Sequence, residues 1–239
     1  MVDMTYVMDE NARQYPILRN FNMTVVINGT IGDGVWVQAE EYTSSTHSGT
    51  HMDAPSHFVK GGMNIENIPL DQLIAPAAVI DITEKASQDP DSEVTIEDLI
   101  RWETITGSSL DGTIVLIKSG WGHKYYNLTA YTGTSDGDVN KLHYPGIAPE
   151  AAQWLVDNRN IKGIGVDGLS LDKGPSKDFP SHRILLARGI FGLENVANMD
   201  EIPIYGAMLH VMPMKMAKVS GSPTRIFATF PEVIFSYPA

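Results

Sequence analysis

Four side chains that commonly bind metal ions lie close together in this chain, between His47 and His57. The segment from residue 47 to residue 58 reads His-Ser-Gly-Thr-His-Met-Asp-Ala-Pro-Ser-His-Phe. Two neutral imidazoles and one carboxylate form a ligand set that catalytic zinc and manganese centres use while they keep one position open for water. The sequence therefore predicts a metal site made by His47, His51 and Asp53, with His57 as an additional base.

The spacing of these residues favours an extended segment over a helix. On a helix His47 and His51 would share a face, but Asp53 would point away from it, and Gly49 and Pro55 both disfavour helix formation. In an extended chain alternate side chains project to the same side. A strand that runs into a tight loop would therefore bring all the odd-numbered ligands to one cavity. The alternative is a histidine-rich surface loop that holds no ion.

The motif resembles the His-x-Gly-Thr-His-x-Asp-x-Pro-x-His signature of the metal-dependent cyclase family, which includes bacterial-type kynurenine formamidases and isatin hydrolases. Later segments are similar to that family as well: Asp-Phe-Pro-Ser-His ending at His182, Gly-Leu-Glu-Asn around Glu194, and the stretch from Pro213 to Ala228. The resemblance extends from Asp3 to about Phe230. It implies one α/β domain over residues 1–239, with the swivelling β/β/α architecture and a mixed sheet.

The resemblance also implies roles for the residues of the first motif. In the two-zinc formamidases the residues that match His47, His51 and Asp53 bind one ion. The residue that matches His57 is the acid/base. The expected cofactor is therefore Zn²⁺ or Mn²⁺.

The resemblance to formamidases implies a second metal ion, whereas the resemblance to isatin hydrolases does not. In the formamidases the residue matching Asp53 bridges to a second ion, which is held by the residues matching His182 and Glu194. Isatin hydrolases use the first site with a single manganese and carry an amide at the position of Glu194. The stretch from Asp167 to Phe179 nevertheless looks more like the isatin-hydrolase side of the family, so the two features indicate different substrates.

The composition limits the classes of partner. The net charge of −12 and the isoelectric point near 4.9 disfavour nucleic acid and anionic membrane surfaces. The absence of cysteine excludes thiol catalysis. Because the chain has neither a long apolar run nor a signal-peptide pattern at its start, we expect a soluble protein, either cytoplasmic or secreted after removal of a leader. The family resemblance implies a homodimer or homotetramer.

Short β-type segments outnumber helical ones, which predicts a mixed α and β fold. Runs rich in Val and Ile predict seven strands: Met23–Asn28, Gly34–Glu40, Ala77–Thr83, Thr113–Lys118, Ile161–Asp167, Gly206–Met212 and Thr224–Phe230. Capping and proline signals predict three helices: Thr95–Trp102, Pro149–Asn158 and Ser181–Arg188. Polar, turn-rich composition predicts surface loops at 86–93 and 132–140. The methionine-rich run from Met208 to Met216 is interpreted as core packing.

Two further residues are candidates for substrate binding. His123 follows a predicted strand at a glycine-rich turn, where it would either line the pocket or bond to the backbone of its loop. Tyr144, in Leu-His-Tyr-Pro-Gly, is expected to flank the substrate. Asp167 and Asp172 follow a strand that should be buried, so either one would orient a ligand histidine or cap its own loop.

The predicted site supports a hydrolytic mechanism. Metal binding lowers the pKa of a bound water to ~7, and His57 can take the proton of that water and return it to a leaving nitrogen. This chemistry suits a small aryl amide, such as the cyclic amide of an isatin or an N-formyl aryl amine such as formylkynurenine. Two alternatives stay open: a metal-binding protein without turnover that acts in interaction or storage, and a metal-dependent lyase or cyclase.

Overall fold

The computed structural model describes residues 1–231, in which short strands and helices alternate along the chain. The strands are β1 (Val2–Asp3), β2 (Asn22–Ile31), β3 (Val35–Thr43), β4 (His51–Asp53), β5 (Ile74–Asp81), β6 (Glu93–Val94), β7 (Ile114–Lys118), β8 (Gly146–Ile147), β9 (Gly163–Val166), β10 (Phe191–Glu194), β11 (Met208–Pro213) and β12 (Gly221–Thr229). The α-helices are α1 (Thr83–Gln88), α2 (Ile96–Thr106), α3 (Leu128–Thr132), α4 (Pro149–Asn158) and α5 (Pro180–Ala187). Single 3-10 turns occur at Pro55–His57, Ile65–Asn67, Trp121–Lys124 and Met199–Glu201.

The main sheet closes on itself through β4. Its strand order is β1-β12-β11-β5-β7-β9-β10-β4, and β4 pairs a second time with the first residues of β12. The strands β5, β7, β9 and β10 are parallel neighbours, whereas the other pairings in this sheet are antiparallel. The result is a mixed, barrel-like sheet, and the predicted α/β class with a mixed sheet is confirmed.

Apolar side chains fill both sides of this sheet. Because successive strand residues point to opposite sides, Ala77 and Val79 of β5 join the cluster inside the barrel, whereas Ala78 and Ile80 join the outer cluster. The outer cluster packs against residues of α2, α4 and α5. Within the described residues, no helix is long and apolar enough to cross a membrane.

Most predicted elements are present, and the misses have physical reasons. The seven predicted strands correspond to β2, β3, β5, β7, β9, β11 and β12, and the three helices to α2, α4 and α5. Residues 86–88, however, belong to α1 and not to a loop, because Ile82 and Ala86 bury one side of that segment. Glu93 also lies outside a loop, because β6 begins there and pairs with β8. The predicted loop at 132–140 is turn-rich, except that Thr132 ends α3. The methionine interpretation was wrong at Met208, Met212 and Met214, which are exposed on β11 or just after it, while Leu209 and Val211 face the core.

The hairpin of β2 and β3 stands apart from the barrel. In the described part of the chain the two strands pair with each other in a separate two-stranded sheet. Nearly every residue from Asn22 to Thr43 is exposed or only partly covered. This segment is called the hairpin below.

Candidate metal centre

The short strand β4 lies between β10 and β12, and glycines on both neighbouring strands leave space for side chains of the site. Asp53 pairs with Gly192 on β10 and with Gly221 on β12. A Cβ atom at Gly221 would lie 2.3 Å from Cε1 of His47, so only glycine leaves room for that imidazole ring. Met52 packs inside the barrel, and His51 and Asp53 therefore project to the opposite side of the sheet.

The two carboxylate oxygens of Asp53 face different histidines. Its Oδ1 lies 2.7 Å from Nδ1 of His47 and 3.3 Å from Nε2 of His51. Its Oδ2 lies 3.5 Å from Nε2 of His182. The side chain of Asp53 is 1% exposed. This buried carboxylate is therefore the centre of the cluster.

Glu194 completes the cluster from the neighbouring strand, because β10 pairs it directly with His51. Its Oε2 lies 3.3 Å from Nε2 of His51, and its Oε1 lies 2.9 Å from Nε2 of His182. The structure thus brings together the side chains of all five residues predicted as metal ligands. They come from β4, the residues before it, β10 and α5.

The residues present fit a metal ion. Nδ1 of His51 lies 3.0 Å from the carbonyl oxygen of Gly49. In the neutral form of the ring, which metal binding requires, this nitrogen therefore carries the proton and Nε2 carries the lone pair. Nε2 is buried and makes no hydrogen bond, although two carboxylates lie close to it. Buried polar atoms without a partner are rare in proteins. Such an atom, surrounded by further imidazole and carboxylate donors, is what a divalent cation would coordinate.

The electrostatics of the cluster also favour a cation. Burial lowers the pKa of His51, but Asp53 and Glu194 outweigh this effect and raise that pKa to about 10. Burial raises the pKa of Asp53, and the neighbouring His47, His182 and His51 outweigh it and hold that pKa well below its usual range. Burial and Asp53 raise the pKa of Glu194, but His182 and His51 outweigh them and lower it. The two carboxylates therefore retain their charge and require positive charge between them, which protons or a metal ion can supply.

His182 is oriented by Asp172. The Asp172 Oδ2 lies 2.6 Å from Nδ1 of His182 and accepts the backbone N–H of the same residue at 3.1 Å. This arrangement turns Nε2 of His182 towards the cluster, as expected for a carboxylate that supports a metal-binding histidine. Asp167 has neither predicted role: it accepts from the backbone N–H and the hydroxyl group of Ser119, and so caps the loop after β7 instead of its own loop.

His51 is oriented by a network that sequence reasoning missed. The carbonyl of Gly49 accepts from Nδ1 of His51 and also from Nδ2 of Asn195, at 2.8 Å. The hydroxyl of Tyr131 donates to Oδ1 of Asn195 at 2.7 Å. Asn195 has a φ of 54°, in the left-handed region that asparagine tolerates better than most residues. The only signal in the sequence was its position directly after Glu194.

His57 lies beside the cluster, at the end of the 3-10 turn Pro55–His57. Its ring stacks on that of His47 with centroids 4.0 Å apart. Burial is the largest effect on His57 and lowers its pKa to about 4. The imidazole is therefore neutral at neutral pH and can accept a proton. A ring nitrogen of His57 also comes within 4.8 Å of ligand atoms of His47 and Asp53, so its position alone is compatible with metal binding too.

Three members of the cluster, His47, His182 and Glu194, form the floor of a mainly apolar cavity of about 430 Å³, which His57 also lines. The rings of Phe58 and His182 lie 4.8 Å apart, and those of Phe58 and Phe179 lie 5.5 Å apart. Other lining residues include Tyr15, Leu18 and Leu169. These wall residues were not predicted. Phe58 and Phe179 adjoin the recognised motifs, and Leu169 lies in the stretch that resembles isatin hydrolases. Tyr15 and Leu18, in contrast, come from a segment that carries no chemical signal.

His123 and Tyr144 are not brought to this cavity. His123 lies on the turn Trp121–Lys124, its side chain is 75% exposed, and it borders a separate cavity of about 420 Å³. It is turned outwards because the neighbouring Trp121 is buried. Tyr144 is buried in an aromatic cluster with Tyr125 and Tyr131, where its ring contributes to packing.

Comparisons with known proteins agree with this fold and site. A family model described as putative cyclase matches residues 2–173. The isatin hydrolase of Roseibium aggregatum is 32% identical over 195 residues, covering 78% of this chain and 72% of that protein. The kynurenine formamidase of Delftia acidovorans is 30% identical over 200 residues, covering 82% of each. The crystal structure of an isatin hydrolase bound to the product analogue thioisatinate has a TM-score of 0.86 at 28% identity, covering 97% of this chain and 92% of that one.

The barrel-like sheet and its histidine–carboxylate cluster define the class of protein, a metal-dependent hydrolase. Within that class, the chain belongs to the putative cyclase family. The resemblance inferred from the motifs is thereby confirmed.

Proposed function

We propose that this chain hydrolyses a small aryl amide, either an isatin-like cyclic amide or an N-formyl aryl amine such as formylkynurenine. The observation that carries the proposal is Asp53, whose two oxygens face different histidines beside an apolar cavity that His47, His182 and Glu194 line. The names of the relatives, isatin hydrolase and kynurenine formamidase, support the same substrate class.

The proposed cofactor is Zn²⁺ or Mn²⁺, bound at two positions. His47, His51 and Asp53 would hold the first ion. His182 and Glu194, together with Asp53, would hold a second ion. A bound divalent ion supplies a low-pKa water and polarises the carbonyl group of the substrate.

The proposed proton carrier is His57. Because its pKa is lowered to about 4, it is neutral and free to accept the proton of the attacking water. In its protonated form it then donates that proton to the leaving nitrogen. An aryl amine leaves more readily than an alkyl amine, and this lowers the demand on the acid.

The cavity walls would bind the aromatic part of the substrate. Phe58 and Phe179 present their rings beside His182, and the surrounding wall is mainly apolar. A flat aryl amide can pack against these rings while its carbonyl group reaches the floor. The apolar wall also excludes bulk water, which strengthens electrostatic interactions at the floor.

The experiment that tests this function uses purified protein stripped of metal and reloaded with Zn²⁺ or Mn²⁺. It is assayed with isatin, formanilide and formylkynurenine in ¹⁸O-labelled water. We expect turnover of at least one substrate, with one solvent oxygen in the product. Turnover without solvent oxygen would favour the lyase or cyclase alternative, and full activity without metal would contradict the mechanism.

A homo-oligomer, dimer or tetramer, is also part of this proposal. The hairpin supports it, because its strands expose large apolar side chains.

A further inference from the structure

The wall of the cavity beside the metal cluster contains a basic side chain that is not a histidine. Among the described residues that line this cavity, Lys177 is accompanied by apolar side chains, the hydroxyl group of Ser170 and the residues of the floor. Lys177 is exposed, whereas His182 and Glu194 are buried. The ammonium group therefore lies at the open edge of the cavity, and the polar floor lies at its inner end.

The ammonium group of Lys177 is held at this edge by a hydrogen bond. Its Nζ donates to the carbonyl oxygen of Val139 at 2.8 Å, and Val139 lines the same cavity. Val139 in turn packs against the aromatic cluster that contains Tyr131 and Tyr144. Because an ammonium group has three N–H donors, two of them are available to a ligand.

Lys177 has no carboxylate partner among the described residues. Its one hydrogen bond goes to a neutral carbonyl group, and its acidic neighbour in the sequence, Asp178, does not line the cavity. Four other lysines, in contrast, pair with an aspartate or a glutamate: Lys85, Lys118, Lys141 and Lys173. In a chain with a net charge of −12, an ammonium group without a carboxylate partner at the edge of a cavity is suited to a bound anion.

A carboxylate matches this edge of the cavity. One ammonium group balances the single charge of a carboxylate, and the hydrogen bond between them is stronger than a bond between neutral groups. The apolar wall lowers the local dielectric constant, which strengthens the interaction further. A small-molecule site typically combines such an apolar wall with a few polar groups that fix the orientation of the ligand.

We propose that Lys177 binds a carboxylate group of the substrate, so that this chain prefers aryl amides with an acidic substituent on the side of the ring away from the scissile amide. In this arrangement the amide lies at the floor, the ring packs against Phe58 and Phe179, and the carboxylate accepts from Nζ at the open edge. The inference rests on the proposed hydrolytic function and adds a substrate class to it.

A purely structural role of Lys177 makes a different prediction. The bond to Val139 also ties the segment before α5 to the loop at 133–140. Loss of this tie would affect charged and neutral substrates alike, whereas loss of an anion site affects mainly the charged one. The ratio of the two specificities therefore separates the two roles.

The first test measures kcat/KM of the metal-loaded protein for 4-formamidobenzoate and for 4-formamidobenzamide, a neutral compound of nearly the same shape. Wild type is compared with Lys177→Met, Lys177→Arg and the control Lys215→Met, which removes the same charge from an exposed residue outside the cavity. We expect the acid-to-amide ratio to fall about tenfold or more in Lys177→Met, as for other hydrogen bonds to charged groups. The ratio should be largely retained in Lys177→Arg and unchanged in the control. An unchanged ratio in Lys177→Met would overturn the proposal, even if both rates fall.

The second test measures binding without turnover. Calorimetry on the metal-loaded protein gives the Kd of 4-aminobenzoate and of 4-aminobenzamide. We expect the wild type to bind the acid about tenfold more tightly than the amide, and we expect Lys177→Met to lose this difference. A carboxylate that coordinates a metal ion instead would keep its advantage in Lys177→Met, and this result would overturn the proposal. Equal affinities in the wild type would overturn it as well.

The two tests together separate the anion site from the hydrolytic function. If neither formamido compound is hydrolysed but tight binding of 4-aminobenzoate depends on Lys177, the anion site stands and the proposed hydrolysis of N-formyl aryl amines fails. If both compounds are hydrolysed with a ratio that Lys177→Met leaves unchanged, the hydrolase stands and the anion site fails.

Discussion

The metal cluster and the hairpin differ in the kind of partner that each lacks. In the cluster, neighbours hold the side chains in place, and the unpartnered Nε2 of His51 lies between two carboxylates. In the hairpin, side chains such as Trp36 are apolar and exposed. An unpartnered buried polar atom indicates an ion, whereas unpartnered apolar surface indicates a protein partner. The two regions should therefore respond to different perturbations.

The largest effect is expected from Asp53→Asn, because this change removes one negative charge and weakens ligation on both sides of the cluster. Loss of metal affinity should exceed the ~10- to 100-fold that is typical when only an outer hydrogen-bond partner is removed. Activity should fall with metal content, as measured by elemental analysis and assay. The control is Asp81→Asn, which breaks a surface ion pair with Lys118. Retained metal and activity in Asp53→Asn would contradict the assignment of the cluster.

The next largest effect is expected from His57→Ala, because it removes the proposed proton carrier without removing a predicted ligand. We expect kcat to fall ~10²- to 10⁴-fold while metal content and melting temperature stay near those of the wild type. His123→Ala is the matched control, since that histidine borders a different cavity. If His57→Ala loses its metal, His57 is a ligand and the proton carrier lies elsewhere.

A smaller effect is expected at Asn195, which supports His51 through the carbonyl of Gly49. Asn195→Gly keeps the left-handed backbone but loses the hydrogen bond, and it should weaken metal binding ~10- to 100-fold. Asn198→Gly is the control: Asn198 also has a positive φ, and its side chain donates to the carbonyl of Asp3. Equal metal affinity of the two variants, measured by competition with a chelating dye, would rule out this positioning role.

Substitutions in the hairpin are expected to have the smallest effect on the metal site. Val26→Thr/Trp36→Thr should change metal content and kcat per chain less than about twofold, because no hairpin residue lines the cavity described above. Activity assays at concentrations above and below the dissociation constant of the proposed homo-oligomer check this. A large loss of kcat in a folded, metal-loaded variant would show that the two regions are coupled.

The sequence predicted the site better than it predicted the surroundings of the site. The odd-numbered spacing indicated that His51 and Asp53 share one side of the chain. His182 and Glu194 were predicted as ligands only from the family resemblance, because more than a hundred residues separate them from the first motif. The closure of the sheet through β4 depends on pairing with β12, and a strand of three residues carries no periodicity of its own. Alternation along β11 was visible, but which face is buried depends on neighbouring strands, and this is why Met208 and Met212 were misplaced.

The most direct test of the central claim, that Asp53 bridges two metal positions, is the number of ions bound per chain at saturating metal. It is measured by elemental analysis after equilibrium dialysis of wild type and Glu194→Gln against Zn²⁺ and Mn²⁺. We predict two ions per chain for the wild type and one for Glu194→Gln, because the substitution removes a carboxylate proposed to hold the second ion while His47, His51 and Asp53 remain to hold the first. One ion per chain in both proteins would contradict the account and leave His182 and Glu194 without a metal-binding role.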